Sequence, residues 1–273
     1  MPTVATKFGS ALRGTLAALA LSLTAALAAA APAQASPQPT IVLVHGAFAD
    51  TTSWDGVAAQ LRSDGYTVLT PENPLRGPAY DAAAVQRTLD TVSGPIVLVG
   101  HSYGGFVITQ IHDPDVESLV YIAAFAPVRG EVAQLALDPF RFPGSQLLPP
   151  ALQVAVVDDP QGIAGKNLDG YVAPDRFHDV FAQDVSDATA ADMIAHQRSI
   201  AIAANLEPSV APSWADTPSW YLVSAGDRVI PPSSQRFMAD RMGATTGQID
   251  ASHASLVSRP AEVAAVVELA VGN

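Results

Sequence analysis

Short apolar runs, rich in β-branched residues, alternate with amphipathic stretches of helical length through most of this chain. The apolar runs lie at residues 41–44, 66–69, 96–99, 119–122 and 220–223, a further strand is predicted near residues 246–249, and the helical patterns lie at 54–62, 82–91, 103–111, 233–242 and 261–270. Strands that are apolar throughout are typical of a parallel sheet buried on both faces. We therefore predict an α/β fold, with a mostly parallel sheet of about six strands and helices on both faces.

A long segment after the fourth apolar run breaks this alternation. Residues 127–217 are rich in Pro, Asp and Gly, with helix-like patterns near residues 174–183 and 188–205. Connections within a compact sheet usually have about two to six residues. We therefore predict an inserted helical cap at about residues 127–217, above the carboxyl edge of the sheet, where α/β folds bind their ligands.

The first 35 residues have the three parts of a secretory signal peptide. Two basic residues are followed by an apolar run from Leu16 to Ala31, and Ala33-Gln34-Ala35 provides a cleavage site of small residues. A membrane anchor is the alternative, but it needs about 20 apolar residues and has no such cleavage site. We therefore predict that residues 1–35 are cleaved and that residues 36–273 form one secreted or periplasmic domain, without a stable membrane anchor.

The chain is acidic and contains no cysteine. It has 14 Lys and Arg residues against 26 Asp and Glu, for a formal net charge of −12. Two of the basic residues lie in the leader, so the predicted mature chain has 12 basic and 26 acidic residues, a net charge of −14. An acidic surface without Lys or Arg clusters repels phosphate backbones, so we expect no nucleic-acid partner. The lack of cysteine excludes disulfides, thiol nucleophiles and thiolate metal sites, and the oligomeric state stays open.

A serine directly follows one of the apolar runs, in the stretch VGHSYGG. Ser102 has Gly100 and Gly104 two residues away on either side, and Gly105 beyond. This G-x-S-x-G pattern is typical of a nucleophile elbow, a strand-to-helix turn too tight for side chains at the glycine positions. A serine that caps the following helix is the alternative explanation.

A nucleophilic serine requires a base, which is most often histidine. The predicted mature chain has six histidines, of which His253 lies in a loop of small residues between the last strand and the last helix. That loop opens at the same sheet edge as Ser102, so we predict that His253 is the base. His101 neighbours Ser102 but is expected to point away from it, and packing explains it better.

A third group must orient the histidine. Asp227 follows the strand at residues 220–223 and lies on a loop at the same edge of the sheet, although a turn-forming Asp is the simpler explanation. Asp240 and Asp250 are weaker candidates, within a helix and at a strand end. The order Ser, Asp, His along the chain is that of α/β-hydrolase triads, so we predict a triad of Ser102, Asp227 and His253.

An acyl-transfer site also needs donors for the oxyanion. The stretch LVHGAF ends the first strand in a turn that can present the N–H of Ala47, and the N–H of Tyr103 follows the predicted nucleophile. We predict that these two amides form the oxyanion hole. A glycine turn that only connects the first strand to the next helix, without a role in catalysis, is the alternative explanation of this stretch.

Several segments of the chain resemble those of bacterial α/β-hydrolases related to plant methylesterases and hydroxynitrile lyases. They are IVLVHGAFAD, PENPLRG, GPIVLVGHSYGG, LVYIAAFAP and the stretch from DRVIPPSS to ASHASLVSRPAEV. The resemblance covers nearly all of the predicted mature chain. It implies an α/β-hydrolase fold and an esterase-type triad onto which Ser102, Asp227 and His253 map, with Ala47 and Tyr103 as oxyanion donors.

Two positions separate this chain from the lyases of that family. The lyases carry threonine where this chain has Gly46, and lysine after the histidine, where this chain has Ala254. Without an ammonium group to receive cyanide, hydroxynitrile cleavage loses the group that stabilises its leaving group. The resemblance therefore implies a hydrolase.

We predict a serine hydrolase that cleaves small carboxylic esters through an acyl-enzyme, with no metal or organic cofactor. We expect Phe48 and Phe125 to line its apolar pocket, and Phe140 and Phe142 of the cap to contribute, although core packing explains each equally well. Two alternatives stay open: a cofactor-free perhydrolase with the same triad, and a non-catalytic ligand-binding protein on the same fold.

Overall fold

The computed structural model of the protein describes residues 38–272. The predicted signal peptide, residues 1–35, lies outside the described residues, as does the start of the predicted mature chain. None of the helices within residues 38–272 has the length and apolar character needed to cross a membrane.

The elements follow the predicted alternation of strands and helices. In chain order the strands are β1 (Thr40–Val44), β2 (Thr67–Leu69), β3 (Ile96–His101), β4 (Val116–Ile122), β5 (Leu152–Ile163), β6 (Lys166–Val172), β7 (Ile200–Ala201), β8 (Ser219–Ser224) and β9 (Thr245–Ile249). The helices are α1 (Asp55–Ser63), α2 (Pro78–Leu89), α3 (Tyr103–Thr109), α4 (Ala133–Ala136), α5 (Pro174–Phe181), α6 (Asp187–Ala195), α7 (Pro232–Met242), α8 (Ser255–Ser258) and α9 (Pro260–Leu269). Short 3-10 helices cover Thr51–Trp54, Ile202–Leu206 and Ser213–Ala215.

Six of these strands form the main sheet, in the order β2-β1-β3-β4-β8-β9. Every neighbouring pair in it is parallel. The four central strands are buried on both faces, since successive side chains of an apolar strand point to opposite sides. Ile41 and Leu43 pack with α1 and α9 on one face, and Val42 and Val44 pack with α2, α3 and α7 on the other. The predicted six-stranded α/β fold is confirmed.

The chain between β4 and β8, residues 123–218, includes the predicted cap at about residues 127–217, and we call it the inserted segment. It contains α4, α5 and α6, and also a three-stranded antiparallel sheet in the order β5-β6-β7, which sequence reasoning did not predict. The β5–β6 hairpin turns at Ala164 and Gly165, whose φ angles are 53° and 74°. Turns with positive φ at both central residues usually carry Asn-Gly or Asp-Gly, so alanine gives little signal there.

The helical pattern predicted at residues 188–205 holds only in its first half, since α6 ends at Ala195. The side-chain amide of Gln197 bonds to both the N–H and the C=O of Val172, at 2.7 and 3.1 Å. Ile200 then pairs with Gly170 of β6. These tertiary hydrogen bonds override the local helical pattern and replace the predicted second half with β7 and a 3-10 turn.

Arg76 joins the inserted segment to the loop that precedes α2. Its guanidinium contacts Asp159 Oδ2 at 3.0 Å and both carboxylate oxygens of Asp169, at 2.9 and 2.7 Å. It also donates to the carbonyl of Ser199 at 3.0 Å. Because Asp169 is only 1% exposed, this bidentate ion pair is a buried attachment of the hairpin to the main domain.

Candidate active site

The predicted site residues all follow strands of the main sheet, at its carboxyl edge. Ala47 lies after β1, Ser102 after β3, Asp227 after β8 and His253 after β9. The carboxyl ends of parallel strands share one edge, so residues that are far apart in sequence meet there.

Ser102 occupies a sharp turn between β3 and α3. Its backbone angles, φ 52° and ψ −121°, lie in a region that residues with side chains rarely adopt. The Ser102 N–H donates to Ile122 O at 3.2 Å, and the Ser102 carbonyl accepts from two further N–H groups, which stabilises this conformation. The Ser102 side chain makes no capping hydrogen bond to α3, so the alternative of a helix-capping serine is wrong.

The glycines of the motif allow the elbow to pack against β1. A Cβ on Gly104 would lie 2.4 Å from the carbonyl oxygen of Val44 and 2.9 Å from that of His45. A Cβ on Gly100 would lie 2.6 Å from the carbonyl oxygen of Gly104. Backbone atoms cannot accommodate such contacts without moving, so the turn requires glycine at both positions.

His253 lies between Ser102 and Asp227. Ser102 Oγ is 2.8 Å from His253 Nε2, and His253 Nδ1 is 2.7 Å from Asp227 Oδ2. Because an ionised carboxylate only accepts hydrogen bonds, Nδ1 carries the proton and Nε2 accepts from the serine hydroxyl. All three side chains are buried. The structure thus brings the three predicted residues into one hydrogen-bonded chain, in which the imidazole can take up the hydroxyl proton.

Asp227 accepts four hydrogen bonds. Its Oδ1 accepts the N–H groups of Val229 and Ile230, at 2.7 and 2.9 Å. Its Oδ2 accepts from His253 Nδ1 and from the side-chain Nε2 of Gln235, each at 2.7 Å. The carboxylate is therefore held in one orientation, with one oxygen directed at the histidine.

Sequence reasoning missed Gln235, a fully buried residue of α7. Its Nε2 also donates to Ile230 O at 2.8 Å, and its Oε1 accepts the N–H of Ser224 at 3.0 Å. These bonds fix which end of the amide faces Asp227. The sequence offered one signal, a glutamine on the buried face of a predicted helix, and this signal does not identify Asp227 as its hydrogen-bond partner.

His101 supports the main chain of His253. The two imidazole rings lie with their centroids 4.8 Å apart, and His101 Nε2 donates to the carbonyl of His253 at 2.9 Å. Burial lowers the pKa of His101 well below its ordinary value, so its ring stays neutral. Packing therefore explains His101, as the sequence indicates, and the structure adds that its partner is His253, whose backbone it also fixes.

Among the contacts between the inserted segment and these loops are those of a turn at the end of α5, residues 181–184, which we call the anchor turn. The N–H of Ala254 donates to the carbonyl of Phe181 at 3.2 Å. The Phe181 ring meets the His253 ring edge-on, with centroids 4.9 Å apart. Gln183 Nε2 donates to the carbonyl of Gly226 at 2.6 Å, beside Asp227. The anchor turn therefore contacts both the histidine loop and the aspartate loop.

Asp184 completes the anchor turn. Its Oδ2 accepts the N–H of Ser252 at 2.9 Å and the hydroxyl of Ser258 at 2.8 Å. Its Oδ1 has no hydrogen-bond partner among the described residues. Burial opposes the charge on Asp184, but the hydrogen bonds from Ser252 and Ser258 outweigh burial and lower its pKa.

The two predicted oxyanion donors line the pocket together with Ser102. Within residues 38–272, neither the N–H of Ala47 nor that of Tyr103 donates a hydrogen bond. The turn before Ala47 is fixed by Asn73, whose N–H donates to His45 Nε2 at 3.0 Å and whose side chain donates to His45 O at 2.9 Å. Burial lowers the pKa of His45, so this ring is neutral.

The Tyr103 side chain is held by a hydrogen bond to a buried carboxylate. Its hydroxyl donates to Asp81 Oδ2 at 2.8 Å, and Asp81 also accepts the N–H of Arg76 at 3.0 Å. Burial raises the pKa of Asp81, against the opposing effect of these hydrogen bonds. Burial and the neighbouring Asp81 raise the pKa of Tyr103 well above its ordinary value.

An apolar pocket opens beside Ser102. It holds about 820 Å³ of space not filled by protein atoms, counting the open solvent at its mouth. Phe48 and Phe125 both line it. The aliphatic residues of its wall include Leu137, Leu147, Leu152, Ile200, Ile202 and Val229.

The prediction that Phe140 and Phe142 contribute to the apolar pocket is wrong. Phe140 is 98% exposed and does not line the pocket. Phe142 is buried, but against Phe237 of α7, with ring centroids 5.4 Å apart. The N–H of Phe142 bonds to Asp138 O at 2.7 Å and closes a turn that carries both rings away from Ser102. Composition alone does not reveal such a turn.

A serine on a strained turn at the carboxyl edge of a parallel sheet, hydrogen-bonded to a histidine and an aspartate on later loops, defines the α/β-hydrolase class. A sequence profile of the alpha/beta hydrolase family matches residues 41–266. The chain belongs to the alpha/beta hydrolase family.

Individual relatives agree with this family. The carbendazim-hydrolysing esterase of a Nocardioides species is 39% identical over 117 residues, which cover 37% of this chain and 48% of that protein, about half its length. Polyneuridine aldehyde esterase has a similar structure, with a TM-score of 0.72, 16% identity, and coverage of 85% of this chain and 98% of that one. A pyrethroid hydrolase of Sphingobium faniae gives a TM-score of 0.71 at 22% identity, with coverage of 85% and 97%. At these identities the structural likeness shows the fold.

Proposed function

We propose that the protein hydrolyses carboxylic esters through an acyl-enzyme on Ser102. The observation that carries the proposal is the hydrogen-bonded chain from Ser102 Oγ through His253 to Asp227, beside an apolar pocket. The esterase among the relatives also supports ester chemistry. Asp227 would hold the imidazole in the required tautomer and stabilise the imidazolium that forms.

In the first step, Ser102 Oγ attacks the ester carbonyl carbon while its proton moves to His253 Nε2. The carbonyl oxygen becomes an oxyanion that accepts hydrogen bonds from the amides of Ala47 and Tyr103. The bond to the alcohol oxygen then breaks, and the alcohol leaves with the proton from Nε2. Water attacks the acyl-enzyme in the second step, again giving its proton to His253, and the acid leaves as Ser102 regains its hydrogen.

Fluorophosphonate labelling followed by peptide mapping tests this proposal without a choice of substrate. We expect the label on Ser102, and we expect Ser102→Ala to remove both labelling and hydrolysis of p-nitrophenyl butyrate. Ser145→Ala is the matched control, because Ser145 lines the same pocket but its hydroxyl donates to Val229 O at 2.8 Å rather than to a histidine. Label on another residue, or ester hydrolysis by Ser102→Ala, would overturn the proposal.

A further inference from the structure

The pocket beside Ser102 has no charged lining. Sixteen residues of the described chain line it, and none of these is Lys, Arg, His, Asp or Glu. Eleven are apolar, and the other five are Ser102, Tyr103, Gln134, Ser145 and Asn205. A ligand inside this pocket therefore meets no cation that could pair with a carboxylate, and no carboxylate that could pair with an ammonium group.

Three of the five polar side chains are already engaged. The hydroxyl of Ser102 lies against His253, that of Tyr103 donates to Asp81, and that of Ser145 donates to Val229 O. Their hydrogen-bonding capacity is directed into the protein, so they offer little to replace the hydration of a charged ligand.

The remaining two are side-chain amides. Gln134 and Asn205 make no side-chain hydrogen bond within residues 38–272, and they lie on neighbouring elements, α4 and the 3-10 helix at Ile202–Leu206. Gln134 is exposed and Asn205 half-buried, which places them towards solvent. A neutral amide can bond to an uncharged polar group but does not compensate a full charge.

We propose that this pocket takes the uncharged, apolar half of an ester and excludes esters in which that half carries a charge. The inference rests on the proposed function and specifies its substrate class. An ionised group entering the pocket would lose its hydration without gaining an ion pair, which is strongly unfavourable in a low-dielectric site. We expect a discrimination of about 100-fold in kcat/KM between otherwise matched esters.

Two matched pairs of esters test the proposal, since either half of the ester could fill the pocket. p-Nitrophenyl hexanoate is compared with the mono-p-nitrophenyl ester of adipic acid, which places a carboxylate at the end of the acyl chain. Hexyl acetate is compared with the acetate ester of 6-hydroxyhexanoic acid, which places it at the end of the alcohol. Rates are measured by nitrophenolate release and by pH-stat at neutral pH. At least one pair should show the preference of about 100-fold for the uncharged ester.

The negative charge of the whole protein could also disfavour anionic substrates, so two variants separate the local effect from the global one. Leu148 lines the pocket and is 53% exposed, so Leu148→Arg introduces a cation there without burying it. Leu135 is 52% exposed and does not line the pocket, so Leu135→Arg adds the same charge outside it. Leu148→Arg should reduce the ratio of kcat/KM between the uncharged and the charged ester by about tenfold or more. Leu135→Arg should change this ratio by no more than about twofold. Measurement in about 1 M salt, where the Debye length is about 3 Å, suppresses the global contribution.

The outcomes distinguish this inference from the proposed function. If the protein hydrolyses none of the four esters and Ser102 takes no fluorophosphonate label, the proposed function fails. If all four esters are hydrolysed and neither pair differs by more than about tenfold, only the substrate class fails. Equal narrowing by Leu148→Arg and Leu135→Arg would also overturn it, because the discrimination would then come from overall charge.

Discussion

Asp227→Asn tests the proposed role of the carboxylate, because Asp227 accepts four hydrogen bonds and an amide must place a donor at one of its two oxygen positions. In place of Oδ1, the NH₂ group would face the N–H groups of Val229 and Ile230, which belong to the backbone and cannot turn away. In place of Oδ2, it would face Gln235 and His253. His253 can respond by moving its proton from Nδ1 to Nε2. The variant should therefore hold the histidine in a tautomer that cannot accept the serine proton.

The magnitude follows from the contacts of Gln235. This amide cannot rotate to offer its oxygen to the new NH₂ group without breaking its bonds to Ser224 and Ile230, so the adjustment falls on His253. Loss of the correct tautomer lowers kcat by about 10⁴-fold in serine hydrolases with this triad, which is about 5.4 kcal/mol of activation free energy. We expect a fall of about 10³- to 10⁴-fold here. KM should change little, because Asp227 does not line the pocket.

The assay is steady-state hydrolysis of p-nitrophenyl butyrate, with circular dichroism to verify the fold. Asp184→Asn is the matched control. Asp184 accepts the hydrogen bonds of Ser252 and Ser258 at Oδ2, and no other residue of the described chain bonds to Oδ1, so an NH₂ group there displaces neither bond. Its kcat should stay within about threefold of the unaltered protein. A folded Asp227→Asn protein that keeps more than about a tenth of kcat would refute the tautomer reasoning.

Three further predictions concern stability. Gly104→Ala places a Cβ 2.4 Å from a carbonyl oxygen of β1 and should lower the free energy of unfolding by about 1–3 kcal/mol or more, measured by urea denaturation; an unchanged urea midpoint would contradict this. Arg76→Gln leaves the buried carboxylate of Asp169 without its cation and should lower the free energy of unfolding by about 3–5 kcal/mol in the same assay. A decrease of less than about 1 kcal/mol would contradict a stabilising role for this ion pair. Because burial lowers the pKa values of His45 and His101 below the ordinary 6.5, these two histidines bind fewer protons in the folded state than in the unfolded state in mild acid. Their contribution to the free energy of unfolding should be complete above pH 6.5 and should fall as the pH drops below that value, by up to about 1.4 kcal/mol per pH unit for each histidine. A free energy of unfolding that does not change between about pH 5 and 7 would contradict this prediction.

The four central strands of the main sheet, β1, β3, β4 and β8, could be predicted because each contains a run of four buried apolar residues, and that pattern depends only on burial between two layers of helices. The hairpin of the inserted segment could not. Val154 and Val156 of β5 are exposed, so burial does not drive that strand to form. Its ladder is paired with β6 through backbone hydrogen bonds, and the turn at Ala164 lacks the usual residues.

The same distinction applies to the candidate site. Ser102 has a local motif, and Asp227 and His253 could be selected because loops after parallel strands share one edge of the sheet. Gln235 and Asn73 have no such signal, since each is a single polar side chain whose role depends on where the chain folds back. Asp184 is the clearest case, because its partner Ser252 lies 68 residues away. Sequence patterns of short period do not report such pairs.

The anchor turn, residues 181–184, limits how the inserted segment could be exchanged between homologous enzymes. A chimera that replaces all of residues 123–218 would also replace the groups that bond to Gly226, Ser252 and Ala254, on the loops of the aspartate and the histidine. A smaller graft that ends before Phe181 would alter the pocket wall at Leu137, Leu147 and Leu152 and retain those bonds. The position of the splice point, together with retention of Ser145, whose hydroxyl donates to Val229 O, would then decide whether the loops of Asp227 and His253 keep their hydrogen bonds while the pocket wall changes.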